Sequence, residues 1–320
     1  MDYIRDSVDL MRIIFLLGAV MALVYKKKIG VTPGGIIVPG LLACLLIMSF
    51  EAFLIVMGIS LLCWAIYKLT FARFALSQRA SSLALMGLSV GLCIAAVVLS
   101  DKYTNLSQET QLFSMVIPGL ITISARKYGL QQVMTGTLAT TAATFVVGSL
   151  IAKILPVAAT SYLSTGLGSY HELWLAHPLF SFAVSISIAI FLYMVFKVRS
   201  GGYLIAPFIA ALIVLSPVQS LMLLVGVILS YFAVQFILAK SLIVGLERFV
   251  VSIFCGYFVV TACDLIAISM HLPVYYPSTL TLIIAVAVLT NDLTLQPLKK
   301  ALAKGIAPAV AASYAVRVLV

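Results

Sequence analysis

The sequence predicts an all-α, polytopic membrane protein of about 12 transmembrane helices, on three observations. Of its 320 residues, 63% are hydrophobic and only 9% charged, against roughly 25% charged in soluble domains. The apolar residues gather into twelve runs separated by short loops. Basic residues then alternate between those loops in the way that orients membrane spans.

The runs lie near residues 9–25, 34–50, 52–69, 83–100, 112–124, 131–155, 179–196, 203–217, 219–239, 249–270, 278–290 and 303–320. The first ends at Lys26 without a small-residue cleavage site, so it is expected to be a span rather than a removed signal peptide. A span needs about 17–25 residues, so runs two, five, eight and eleven are short, each the middle member of a triplet. Run two reads Gly34-Gly35-Ile36-Ile37-Val38-Pro39-Gly40-Leu41, and run five echoes it with Val116-Ile117-Pro118-Gly119-Leu120-Ile121. Unpaired backbone groups cost several kcal/mol each in lipid, so a Pro-Gly break is tolerated where protein or a wet cavity meets it. Two readings follow: a broken span at a transport or binding site, or a kink or close helix contact.

The charges test whether the short runs cross. Lys26, Lys27 and Lys28 follow run one; Lys68, Arg73 and Arg79 follow run three; Arg126 and Lys127 follow run five. Lys197 and Arg199, Lys240 and Arg248, and Lys299, Lys300 and Lys304 follow runs seven, nine and eleven. Loops after odd-numbered runs thus hold 15 of the 20 basic residues, leaving Arg5, Arg12, Lys102, Lys153 and Arg317 elsewhere. A re-entrant hairpin would break this alternation, so all twelve runs are expected to cross, with both termini outside the cytoplasm. The net charge of +10 is first a topology signal and second a sign of an acidic partner.

Internal similarity divides the chain. Gly34-Gly35, Ala43, Leu45 and Ser49 recur as Gly201-Gly202, Ala210, Leu212 and Ser216 at a constant offset of 167. Pro39-Gly40 becomes Ala206-Pro207 there, and Gly136–Val147 lines up with Gly305–Val316. A repeat of three spans must invert in the membrane, while a repeat of six runs parallel. The expected organisation is two parallel six-helix halves, 1–155 and 179–320, joined by a linker at 156–178. Each half would hold two inverted three-helix repeats with short, Pro/Gly-broken middle helices.

These residues resemble a known family. Lys28-Ile-Gly-Val-Thr-Pro-Gly-Gly-Ile-Ile-Val-Pro-Gly-Leu41 is similar to the opening of the membrane subunit of bacterial poly-γ-glutamate synthase, the PgsC/CapC family. Val116–Leu120, Arg126–Leu130, Thr135–Leu138 and Ala143–Phe145 follow in the family's order, and Gly245–Phe249 resembles the basic stretch before its fourth helix. The usual member is about half as long, and the second copy here lacks intact Pro-Gly steps. The resemblance implies a bacterial inner-membrane subunit working with a cytoplasmic, ATP-dependent amide ligase of the Mur-ligase type and a membrane-anchored capsule protein. Together they would polymerise glutamate through its γ-carboxyl and move the polymer outward, the ligase holding the ATP chemistry.

The sequence holds no Walker A, GxSxG or HExxH pattern, so a non-catalytic subunit is expected, with no cofactor, no metal and no nucleic-acid partner. His171, Glu172 and His177 sit beside Tyr170 and Trp174, a composition that suits an interfacial turn better than a metal site, and His271 before Pro273 is read as interfacial too. The five cysteines lie in apolar runs without a CxxC pair and read as packing residues. Asp264 is placed to snorkel from a span end, Glu51 to sit in a solvated turn, and Asn291-Asp292 to pair with Lys299 or Lys300.

The candidate site combines two groups. Gly34, Gly35, Pro39, Gly40, Pro118, Gly119 and Pro207 would shape a polymer passage. Lys26, Lys27, Lys28, Arg126 and Lys127 would rim its cytoplasmic mouth, where they dock the ligase or concentrate an anionic polyglutamate chain. The plainer alternative is that these cations only set orientation. At the level of function, a stand-alone secondary transporter of a small organic anion and a structural anchor remain the other two readings.

Overall fold

In a bilayer every backbone N–H and C=O needs a partner within the protein, and helices provide it segment by segment. The computed structural model describes residues 10–73, 78–99, 108–154, 217–270 and 279–295, and the regular structure among them is helical. The chain divides into two compact units, Met1–Thr165 and Gly166–Val320. The first contains α1 (Leu10–Ile29), α2 (Val38–Met48), α3 (Phe50–Leu69), α4 (Gln78–Leu99), α5 (Gln108–Tyr128) and α6 (Leu130–Ile154), with a 3-10 turn at Phe71–Arg73. The second contains α7 (Pro217–Lys240), α8 (Leu246–Ser269) and α9 (Thr279–Leu295).

Four described helices are long and apolar enough to cross a membrane: Phe50–Leu69, Leu130–Ile151, Ser220–Lys240 and Leu246–Ala267. Their outer faces are apolar as well. Leu54, Leu61 and Leu62 on α3, Val146 and Leu150 on α6, and Leu221, Phe232 and Phe236 on α7 are exposed. Such stripes are unfavourable in water and suited to lipid. This is a helical membrane protein.

Within the first unit, α1 packs on α2 and α6, while α4 packs on α5 and α3. The second helix lies on the sixth and the fifth on the third; α2 and α5 also meet each other and their chain neighbours α3 and α6. Exchanging the first three helices for the last three maps this set of partners onto itself. In the second unit α7, α8 and α9 all pack on one another.

Small residues permit these contacts, as in other lipid-embedded bundles. A Cβ at Gly18 would fall 2.1 Å from Gly40 Cα, and one at Gly40 would fall 2.6 Å from Phe15 O, so α1 and α2 touch backbone to backbone. Gly136 lies against Tyr25 and Gly148 against Ile14. Chain numbers therefore rise on α6 as they fall on α1, and the two run antiparallel.

Two expectations change. The second run forms a helix only over Val38–Met48, 11 residues, with Pro39 in its first turn, where a missing N–H is tolerated. Pro39-Gly40 starts a helix and does not interrupt one. The fifth run is not short: α5 spans 21 residues with Pro118 inside, because its polar ends continue the helix beyond the apolar core at 112–124. Runs 179–196 and 303–320, run 203–217 up to Ser216, the 156–178 linker, Gly201, Gly202, Pro207 and Gly305–Val316 lie outside the described residues. So do His171, Glu172, His177, His271, Lys299 and Lys300.

Gly18→Ala is expected to lower the thermal unfolding midpoint of the detergent-purified protein, at about 1–3 kcal/mol for overpacking. Gly91 has open space where a Cβ would go, so Gly91→Ala should change stability by no more than about 1 kcal/mol. Equal midpoints for the two variants would contradict the close α1–α2 crossing.

Candidate functional site

Two cationic clusters of the first unit lie at one end. The last turn of α1 carries Lys26, Lys27 and Lys28, and Gly30, at φ 82°, closes it by donating its N–H to Lys26 O at 2.8 Å. The last turn of α5 carries Arg126 and Lys127, and Gly129, at φ 92°, donates to Ala125 O at 2.8 Å. Left-handed glycine is the usual residue just past a helix end, and cations there favour the helix dipole. Tyr128 ties the two ends together. Its phenol is hydrogen-bonded by Lys127 and by Thr32, the latter just beyond α1. The Lys127 hydrogen bond holds the phenol below its usual pKa; burial opposes this, and the Thr32 bond and the Lys127 and Lys26 charges reinforce it. Arg126 Nη1 also donates to Ser81 Oγ on the first turn of α4.

From this basic end the chain enters the unit without helical structure. Val31, Pro33, Gly34, Ile36 and Ile37 are buried. Gly34 (φ 67°) and Gly35 (φ 119°) adopt left-handed conformations that side chains disfavour. A Cβ at Gly34 would lie 3.0 Å from Ile121 on α5, 3.1 Å from Val38 and 3.2 Å from Thr137 Oγ1 on α6. Among the described residues, the turn and loop bonds that bracket this stretch are Gly30 N–H to Lys26 O and Leu41 N–H to Ile37 O, with no backbone pair between.

The α2 helix then starts inside the unit. Its Ile37 N-cap supplies no side-chain acceptor, and Gly40 meets Gly18 in the middle of α1. Further on, Cys44 Sγ donates to Met11 O at 3.4 Å, so α2 leads away from the basic end. Ser49 stops it by donating its N–H to Leu45 O at 2.8 Å and starts α3 by accepting from Ala52 N–H at 3.2 Å. The middle element of the first triplet is thus an extended entry followed by a half-span helix with an uncapped N-terminus.

Pro118-Gly119 is handled differently. Gly119 N–H donates to Ser89 Oγ at 2.9 Å, and the Ser89 hydroxyl donates to Met115 O at 2.6 Å. A side chain from α4 therefore stands inside the helical ladder of α5, where Gly119 would otherwise bond Met115 directly, one recognised cause of a kink. The absence of a Cβ on Gly119 makes room, since one would lie 2.7 Å from Met86 Sδ and 3.2 Å from Ser89 Cβ. At the α8–α9 crossing Gly256 is a point of close approach. Its absent Cβ would lie 3.3 Å from Ile283 O and 3.5 Å from Ala287 N, and α9 has neither Pro nor Gly there.

Thus Gly34, Gly35, Pro39 and Gly40 lie along one buried path, and Pro118 and Gly119 lie on the neighbouring helix. Lys26–Lys28, Arg126 and Lys127 share the end from which that path leaves. Glu51 is exposed in the first turn of α3. Asn291 Oδ1 accepts from Arg248 Nε at 3.3 Å, while Lys299 and Lys300, the partners expected for Asn291-Asp292, lie outside the described residues. Asp264 is 4% exposed and so does not snorkel. Arg12, assigned by sequence to a loop or terminus, lies within α1 and is also 4% exposed. Sequence reasoning missed Ser89 and the buried hydroxyls of α6, Thr137, Thr140, Thr141 and Thr144. The only available signal was a Thr-rich stretch at helical spacing. Among the described residues no three His, Cys, Asp or Glu side chains come together as a metal site.

Residues 17–134 and 184–302 each match the sequence model of a family described as Capsule biosynthesis CapC. The chain is also similar to the PGA biosynthesis protein CapC of Bacillus subtilis (strain 168). The identity is 31% over 137 residues, which is 42% of this chain and 91% of that protein. No solved structure matches.

Ser89→Ala should destabilise the protein by about 1–3 kcal/mol, because two buried backbone groups lose their partner. In a Pro118→Ala background the ladder can close without the hydroxyl, so the same change should cost less. Additive losses in a double-mutant cycle of unfolding would contradict the bridging role.

Proposed function

The chain belongs to the capsule biosynthesis CapC family, and we propose that it is the membrane subunit of a poly-γ-glutamate synthesis and export complex. It docks a cytoplasmic ATP-dependent amide ligase, which does the bond-forming chemistry, and guides the anionic polymer into the bilayer beside a membrane-anchored capsule protein. The observation that carries this reading is the convergence of Lys26–Lys28 with Arg126 and Lys127 around the Thr32–Tyr128 contact, where a buried, non-helical path begins. A polyglutamate chain presents about one carboxylate per residue, so such a rim raises its local concentration. The relative's association with PGA biosynthesis supports the same polymer.

The basic end is the cytoplasmic one by the positive-inside rule, which puts both termini outside and the protein in the bacterial inner membrane. Helices α1–α3 and α4–α6 form inverted triplets, a reading supported by the symmetric exchange of packing partners. The second match to the family supports a parallel second half, bringing the total to twelve crossings. Gly34, Gly35, Pro39 and Gly40 line the passage, Pro118 and Gly119 flank it, and Pro207 marks its remnant in the second half.

One observation also favours secondary transport of a small organic anion: a half-span helix at mid-depth is a common transporter device. Co-purification from native membranes separates the two. An ATP-dependent amide ligase recovered with the chain supports the synthase. A chain that purifies alone and takes up small anions in proteoliposomes supports the transporter.

Reversing Lys26, Lys27 and Lys28 to Glu should cut polymer yield at least about tenfold at equal membrane abundance, as expected when a rim of three cations turns anionic. Undiminished polymer from a correctly inserted variant would contradict the rim.

A further inference from the structure

We propose that the uncapped N-terminus of α2, the Val31–Ile37 entry and the Thr141 hydroxyl form a carboxylate-binding station inside the first unit. The proposal rests on the polymer reading above, because it names the group of the polymer that is held and the place where it is held.

Two independent observations point to a ligand. The first is backbone. Val31, Pro33, Gly34, Ile36 and Ile37 are buried, with Gly34 against α5 and α6, yet among the described residues the peptide groups of 31–37 make no backbone pair before Leu41 N–H reaches Ile37 O. The α2 helix then opens with no side-chain cap. Buried peptide groups need partners, and a helix N-terminus supplies N–H donors and a positive dipole end suited to an anion.

The second observation is Thr141. It is 2% exposed, and its Oγ1 has no hydrogen-bond partner. Its neighbours behave otherwise: Thr137, Thr140 and Thr144 donate back along α6 to Val133, Gly136 and Thr140 carbonyls. The helix contacts place Thr141 beside the α2 start. Gly34 lies against Thr137. Gly40 meets Gly18, which sits on α1 between Tyr25 and Ile14, and these oppose Gly136 and Gly148 on α6. The segment from Gly34 to Gly40 therefore runs alongside α6 from Thr137 toward Thr144, and Thr141 is level with the first turn of α2. One turn beyond Thr137 on the same face, it points to the side that Thr137 presents to Gly34.

A hydroxyl donor level with free helical N–H groups, entered from a cationic rim, suits an oxyanion. The chemistry is shared by a carboxylate of a γ-linked glutamate chain and by a free dicarboxylate, and the test separates these sources.

The full chain, purified in detergent, is titrated with a short γ-linked glutamate oligomer and, separately, with glutarate. Thr141→Val, which keeps the shape and removes the hydroxyl, should weaken oligomer binding about tenfold, the loss expected for one hydrogen bond to a charged group. Its unfolding midpoint should not fall, because the hydroxyl has no bond within the chain to lose. Thr144→Val should bind like the parent. Binding unchanged by Thr141→Val, or no binding of either probe, overturns the station. Glutarate binding that depends on Thr141, without oligomer binding, upholds the station and counts against the polymer reading.

Discussion

Contact between the backbones of α1 and α2 at Gly18 and Gly40 is the constraint on which the first unit depends. It fixes the start of α2 at mid-depth, because Gly40 can meet Gly18 only where α1 carries it. The eight residues from Gly30 to Ile37 must then climb from the basic end to that level. The chain makes this climb without helix between Gly30 and Val38. The glycines at 34 and 35 provide the left-handed turns that let it fit between α5 and α6.

The Pro-Gly step meets three different surroundings. On α2 the proline begins the helix and the glycine receives α1. On α5 the same pair lies within a continuous helix, and the Ser89 hydroxyl occupies the gap in the ladder. On α9 the pair is absent, the helix continues, and Gly256 lets the neighbouring helix approach. Among the described residues, Pro-Gly steps occur in α2 and α5 of the first unit and not in α7, α8 or α9.

Much of this was legible in the sequence. Helical class and membrane residence followed from the apolar runs. The basic clusters could be placed on one side because the charges alternated, and Pro39-Gly40 and Pro118-Gly119 stood out as repeats of one step. The sequence could not separate a wet break from a close contact, because glycine permits both. The structure shows a close contact at Gly40 and, among the described residues, an entry without backbone pairs just before it. Hydropathy also shortened α5, since Gln108–Gln111 and Ser124–Tyr128 lower the average without ending the helix. Arg12 was misplaced for a related reason: a single cation near the start of an apolar run looks like its boundary. Ser89 and Thr141 were invisible because a hydroxyl in an apolar helix is usually bonded to its own preceding turn, and only three-dimensional placement reveals which ones are not.

The central claim is that an unpaired, water- or ligand-reachable stretch of backbone lies within a membrane-embedded helical unit. Amide hydrogen exchange of the purified protein tests it directly, by comparing residues 31–38 with the helical residues of α2 and α6 that surround them. The account predicts that the amides of 31–38 exchange much faster than those of Leu42–Leu45 and of Thr137–Thr144. Protection of 31–38 equal to that of the flanking helices would mean that those peptide groups are paired and dry, and would contradict the account.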